Sequence, residues 1–226
     1  MLTPESIQEV CAIVGKLGVT MIRTAKPVGI GLGQMGEVNL IRPLLPPGIA
    51  TYVDVGAGDP ESCSNTWGLY QDGWHGLLIE PLPSFWYQLL RHRPRDRMLP
   101  IAVSDYTGYG RLRVCGPCSS MRPDWNISEQ GELLVEVDTL ASILDDYPEI
   151  RKKCQLCSID VEGLELQVLL GIDWDTFHPT VFVVEYPVFE PGGGGRDLSA
   201  TWEHILIGQG YRRVGKTPLN YIYTNQ

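Results

Sequence analysis

Two stretches of this chain set carboxylates where buried apolar runs stop. Ile159-Asp160-Val161-Glu162-Gly163 closes the run that begins at Leu156, and Val183-Val184-Glu185-Tyr186 closes another. Residues two apart on a strand share a face, so Asp160 and Glu162 are expected to point together into a cleft, with Glu185 ending the next strand beside them. Three carboxylates in one cleft can take the proton of a bound hydroxyl, or hold a divalent cation that lowers the pKa of a bound group. In a further reading Glu162 caps the helix after Gly163, where its charge favours the helix dipole. These alternatives stay open, and a cation is possible without being predicted.

A second constellation would bind instead of react. Tyr52-Val53-Asp54-Val55-Gly56-Ala57-Gly58-Asp59-Pro60 reads as a buried strand running into a tight glycine turn and then a helix. Glycine at 56 and 58 allows the backbone to approach a ligand, and N–H groups near a helix start bind polar or anionic groups. About 22 residues beyond Gly58, Glu80 ends the next apolar run in Leu77-Leu78-Ile79-Glu80-Pro81. A carboxylate there is positioned to accept hydrogen bonds from both ribose hydroxyls of a nucleoside. The alternative is an ordinary turn followed by a surface glutamate.

Gly31-Leu32-Gly33-Gln34-Met35-Gly36 also matches a dinucleotide fingerprint, which would suit an NAD-dependent oxidoreductase. That motif works only between a strand and a helix. Arg23–Pro27 is no buried strand, and Pro43 truncates any helix after Gly36.

The elements that must position these residues begin near Ala50. Tyr52–Val55, Gly76–Ile79, Met98–Val103, Leu156–Val161 and Thr180–Val184 read as strands, mostly apolar throughout, as when both sheet faces are covered. Helices are predicted at Asn65–Asp72, Ser84–His92, Leu140–Asp145, Leu164–Leu170 and around Ala200–Gly208. Tyr211–Val214 and Asn220–Tyr223 should form an antiparallel pair at the sheet edge. This alternation specifies an α/β, doubly wound, mostly parallel seven-stranded sheet, in which ligands sit beyond the carboxyl ends of the strands. Residues 1–49 read as an N-terminal helical and irregular arm, with a helix after Thr3-Pro4, and residues 50–226 as the main domain.

Composition narrows the partners. The chain has 226 residues, 27 acidic against 18 basic, for a formal net charge of -9. Its densest basic cluster, Arg91, Arg93, Arg95 and Arg97, reads as a solvated helix end, so a nucleic acid is not expected. No run of about 18 apolar residues could span a membrane. The first residues lack a signal peptide's pattern, and the expected location is the cytoplasm. Cys115-Gly-Pro-Cys118 and Cys154-Gln-Leu-Cys157 could close a zinc site or disulfides, but Cys157 falls in a core strand, and reduced structural cysteines are the expectation. The run Gly192–Gly195 could be a lid or a plain loop.

Taken together, Val53-Asp54-Val55-Gly56-Ala57, Asp59-Pro60, Ser64-Asn65-Thr66, Gly73–Pro81, Ala102-Val103-Ser104-Asp105, Ile159–Gly163 and Asn220–Tyr223 resemble the FkbM-type methyltransferases, in the family's order. The resemblance implies a class I, Rossmann-like methyltransferase fold, S-adenosylmethionine as donor and a hydroxyl oxygen as acceptor. Asp59-Pro60 and Gly73-Trp74 are similar to members associated with polysaccharide biosynthesis, which implies a sugar hydroxyl of a glycan or glycosylated small molecule. Carried over by position, Asp54, Gly56 and Gly58 would wrap the methionine part, Glu80 would hold the ribose, and Val103 and Ser104 would border the adenine. Ser64, Asn65 and Thr66 would reach the donor's carboxylate or the acceptor, or only cap the first helix. Asp160 would be the general base or acceptor-orienting group, with Glu162 and Glu185 its neighbours. A non-catalytic nucleoside-binding module of the same fold is the competing class. The family often has asparagine or histidine where Gly58 stands.

Overall fold

The computed structural model describes residues 33–124, 131–190 and 194–226. The helix expected after Thr3-Pro4 lies outside them. Twelve strands follow in chain order: β1 Thr51–Val55, β2 His75–Ile79, β3 Arg97–Leu99, β4 Ala102–Val103, β5 Gly108–Arg113, β6 Glu132–Asp138, β7 Cys154–Ile159, β8 Val181–Glu185, β9 Pro187–Glu190, β10 Gly194–Asp197, β11 Arg212–Lys216 and β12 Asn220–Thr224. The described helices are α1 Glu37–Ile41, α2 Trp67–Gln71, α3 Pro83–His92, α4 Leu140–Asp146, α5 Pro148–Lys153, α6 Glu165–Leu170 and α7 Ser199–Gly208. Among the described residues no helix is long and apolar enough to cross a membrane.

Seven strands form the main sheet in the order β11-β12-β8-β7-β1-β2-β3. The pairs β1–β2, β1–β7, β2–β3 and β7–β8 are parallel, and β12 is antiparallel to both its neighbours. Strand order reverses between β1 and β7, so their carboxyl ends flank the crevice where ligands of such sheets sit. The fully apolar strands divide their side chains between the two faces. Val53, Leu77, Cys157 and Phe182 pack under α4, α6 and α7, while Tyr52, Leu78, Leu156 and Val183 pack under α1, α2 and α3. This is the doubly wound α/β fold that the alternation of apolar runs specifies.

Three expectations change. The predicted strand Met98–Val103 breaks into β3 and β4, which belong to different sheets. Pro100 has no N–H to continue the ladder and falls at the break. β4, β5 and β6 form a three-stranded sheet that sequence reading missed, with Leu82, Leu112, Val135 and Val137 as its core. No helix follows Pro60 directly: Asp59 Oδ1 accepts the N–H groups of Glu61 and Ser62, and turns fill the chain until α2. The described part of the expected arm packs on the domain, with Glu37, Val38 and Ile41 buried. Of the glycine run, Gly194 and Gly195 pair with β9, and the rest lies outside the described residues.

Candidate active site

The turn after β1 exists because of what stands on either side of it. The N–H groups of Gly56 and Ala57 both donate to the Ile79 carbonyl, at 2.9 and 3.2 Å, folding the chain back over the end of β2. A Cβ on Gly56 would lie 1.8 Å from the Asp160 carbonyl oxygen, and its φ of 80° is left-handed. Gly56 is therefore needed for the close approach of the β1 and β7 ends, a reason different from the ligand approach inferred from sequence. Gly58, with φ 53°, would bring a Cβ only into ordinary contact with the Gly56 carbonyl oxygen at 3.9 Å, so its left-handed φ is what favours glycine there.

Glu80 is fixed at the end of β2 by two backbone donors. Gly58 N–H donates to Oε2 at 2.9 Å and Leu82 N–H to Oε1 at 2.7 Å. Burial pushes this carboxyl up to about 7, against those two bonds, which favour its charged form. A carboxylate has about four acceptor positions, so two remain for other donors.

A cleft of about 660 Å³ opens between the strand ends and the small sheet, within the usual range of about 300–1,000 Å³ for ligand sites. Of the residues singled out by sequence, Gly56, Gly58, Glu80, Val103, Asp160, Glu162 and Glu185 line it. One wall is apolar, from Leu82, Phe85, Ile101, Leu112 and Leu133.

Asp54, Ser64, Asn65, Thr66 and Ser104 are buried and do not line the cleft. Thr66 donates to Asp54 Oδ2 at 2.6 Å, and burial raises the Asp54 carboxyl to about 6. Ser64 Oγ accepts the Trp67 N–H at 3.1 Å, the capping role weighed for it. Asn65 donates to Ser158 at 3.2 Å, and Ser104 receives β6 through its N–H bond to the Asp138 carbonyl. These five residues brace the cleft from behind.

That bracing depends on Arg93, which is 2% exposed, contrary to the solvated helix end expected for the basic cluster. Its guanidinium donates to Asp96 at 2.9 Å, to the Pro60 carbonyl and Tyr52 hydroxyl at 2.8 Å, and to Thr66 at 2.9 Å. It also lies over the rings of Tyr52, Trp67 and Tyr70. One planar fork thus holds β1, the turns after Pro60 and the start of α2 in register.

At the ends of β7 and β8, Asp160, Glu162 and Glu185 present carboxylate oxygens all within 4.8 Å of one another. They converge differently from the shared strand face expected. β7 stops at Ile159, and Glu162 reaches the cleft through a turn in which it adopts φ 55°, an uncommon left-handed value for a side-chain-bearing residue. Ser120 holds that turn by donating to the Glu162 carbonyl at 2.9 Å. Glu165 holds it from the other side, accepting the N–H groups of Val161 and Gly163 at 3.3 and 3.0 Å. The helix α6 has no side-chain cap at its start, so Glu162 does not cap it, and Glu162 lines the cleft. Burial raises the Glu165 carboxyl to about 7.

Burial first, then the neighbouring carboxylates, raise Glu162 and Glu185 well above the usual carboxylate range. Asp160 is raised as well by burial, moderated by hydrogen bonds from Glu185 and Gln34. Gln34 was not singled out in the sequence. Its Nε2–H donates to Asp160 Oδ2 at 2.8 Å, and its Oε1 accepts from Asn220 at 2.7 Å. Glu37 adds a second tie, accepting from Thr217 at 2.6 Å and Asn220 at 3.0 Å. Of the dinucleotide-like stretch, Gly33 and Gly36 take left-handed φ values around Gln34 and Glu37, and Gly36 is the N-cap of a five-residue helix.

The cysteine pairs lie apart in kind as well as in sequence. Cys154 and Cys157 are buried in β7, while Cys118 lines the cleft and burial pushes its thiol up to about 12.

No curated protein matches the chain. Among solved structures, the methyltransferase FkbM from Methylobacillus flagellatus KT is similar at 18% sequence identity with a TM-score of 0.48. The match covers 77% of this chain and 43% of that one, so the chain spans less than half of that protein's length. The Methyltransferase FkbM domain matches residues 54–213, from the aspartate before the glycine turn to the middle of β11, and on that match the chain belongs to the FkbM methyltransferase family.

Proposed function

We propose that this protein is an S-adenosylmethionine-dependent O-methyltransferase whose acceptor is a hydroxyl, that of a sugar in a glycan or glycosylated metabolite. The observation that carries the reading is that one cleft, at the point where strand order reverses, contains both the Gly58–Glu80 pair and the Asp160 carboxylate. The fit to the donor rests on Glu80: its carboxylate is anchored by two N–H groups and keeps acceptor capacity for two ribose hydroxyls. Ile101, Ala102 and Val103 offer an apolar edge to a base, and Gly58 leaves room for backbone approach.

When bound, the donor supplies a methyl group on a sulfonium sulfur. Asp160 then receives the proton of the acceptor hydroxyl, with its carboxylate orientation set by Gln34. Correct alignment of reacting atoms contributes about 7–11 kcal/mol, and a positioned base a further 10²–10⁴-fold, roughly. The preference for a sugar is drawn from the resemblance carried by Asp59-Pro60 and Gly73-Trp74, and polar groups on the cleft such as Ser62, Ser119 and Ser120 suit it.

Calorimetric titration with S-adenosylhomocysteine, with NAD as the control, tests the donor site. One saturable site with a dissociation constant near 1 μM, about -8 kcal/mol, that is lost in Glu80→Ala is expected. Preference for NAD would overturn the reading. In an acceptor screen of methylatable sugars, Asp160→Asn should lower turnover by about 10²-fold or more while leaving homocysteine-nucleoside binding intact. Full turnover in that variant would remove Asp160 from the base role.

A further inference from the structure

We infer that Asp160, Glu162 and Glu185 form a binding site for one hard divalent cation of the Mg²⁺ or Mn²⁺ class, open on the side of the cleft. Three observations carry this. First, the three carboxylate oxygens lie within 4.8 Å of one another. Oxygens at about 2.0–2.1 Å from a Mg²⁺-class ion stand at most about 4.2 Å apart, so side-chain shifts of roughly half an ångström bring all three onto one ion.

Second, Glu185 is only 4% exposed and shares a hydrogen bond with Asp160, yet its Oε2 has no hydrogen-bond partner among the described residues. A buried carboxyl oxygen left unpaired is costly whether the group is charged or neutral, and an ion in the triad supplies the missing partner. Third, no ion pair formed by the described residues includes any of the three acids. The further groups that act on them, Glu37 and Glu165, are acids too. The described residues thus gather acidic groups here and include no cation paired with them.

The donor set fixes the class of ion. Three carboxylates and no thiolate or imidazole favour a hard, oxygen-seeking cation over zinc or copper. Glu185 is buried while Asp160 and Glu162 are partly open, so the remaining coordination positions face the cleft. An oxygen of the acceptor can take one of them and sit beside Asp160, where the ion lowers the pKa of the hydroxyl. That use of the ion rests on the methyltransferase reading above, whereas its binding does not.

The test uses the full chain freed of metal with a chelator and titrated with Mn²⁺ alone, following free Mn²⁺ by electron paramagnetic resonance. One Mn²⁺ per chain with a dissociation constant below about 1 mM, displaced by Mg²⁺, is expected. Glu185→Gln and Glu162→Gln should each weaken binding at least about tenfold, while Glu149→Gln, an exposed acid on α5, should leave it unchanged. Thermal melting in parallel reports folding: Mn²⁺ should raise the melting temperature of the parent and of Glu149→Gln and not of the triad variants. Should Glu185→Gln fail to fold, the more open Glu162→Gln carries the test.

Absence of stoichiometric binding up to about 10 mM Mn²⁺, or binding that survives both triad substitutions, overturns the site. Calorimetry with S-adenosylhomocysteine in chelator separates the two ideas. Nucleoside binding without Mn²⁺ binding sinks the cation site alone, and Mn²⁺ binding without nucleoside binding sinks the donor reading alone.

Discussion

Two clusters of buried charge lie on either side of the β1 turn, and they are built on opposite terms. Around Arg93, a cation, an aspartate, two hydroxyls and a carbonyl satisfy one another within the chain. Around Asp160, three carboxylates face each other, one of them with an unpartnered oxygen. A charge cluster that closes on itself is a brace, because its desolvation is offset by its own hydrogen bonds. One left open at a cleft is stabilised only by something that arrives from outside.

The largest effect is expected from breaking the brace. Arg93→Met leaves Asp96 buried without its cation and should cost about 3–5 kcal/mol in denaturant unfolding. An unchanged midpoint would mean that Arg93 is a passenger in the core. Next comes the joint between the clusters. Gly56→Ala sets a Cβ against the Asp160 carbonyl at a left-handed φ and should cost about 2–4 kcal/mol. It should also displace Asp160, so turnover should fall more than nucleoside binding does.

The open cluster should answer with the reverse sign. In the metal-free protein Glu185→Gln should stabilise by about 1 kcal/mol at pH 8. Glu185 has a folded-state pKa raised above its unfolded value, so ionising it costs stability as pH rises through the raised pKa. The gain from Gln should therefore shrink on acidification and vanish below the ordinary carboxylate range, as thermal melts at several pH values would show. A loss of stability at every pH would place the triad with the braces. The smallest effect concerns Glu80, whose carboxyl titrates near 7. Affinity for S-adenosylhomocysteine should rise severalfold from about pH 6 to about pH 8, as Glu80 loses its proton and regains full acceptor capacity. Glu80→Gln should flatten that profile.

The same contrast explains what the sequence could disclose. β1, β2, β7 and β8 are buried on both faces, so their apolar runs are continuous and legible. The acids that end them were legible for the same reason, since polarity interrupts an otherwise apolar run. The small sheet escaped notice because β5, Gly-Tyr-Gly-Arg-Leu-Arg, has a single buried side chain. β6 did hold a signal: Val135 and Val137 alternate inward while Leu134 is 73% exposed. Arg93 could not be read, because its burial depends on partners drawn from Tyr52, Pro60, Thr66 and Asp96 together. Nor could Gln34, whose partners Asp160 and Asn220 are 126 and 186 residues away.

That last bridge has a consequence for how the molecule comes into being. Gln34 is made before Asp160, and Asn220 follows both in β12, which lies inside the sheet between β8 and β11. Contacts of such long sequence separation form only after their loops are closed. A chain emerging from the ribosome therefore has its glycine turn and Glu80 well before the carboxylate opposite them is anchored. The tie on Asp160 therefore waits for β12, and a chain that has not yet paired this strand has the Gly56 turn in place while Gln34 lacks the Asn220 side of its bridge.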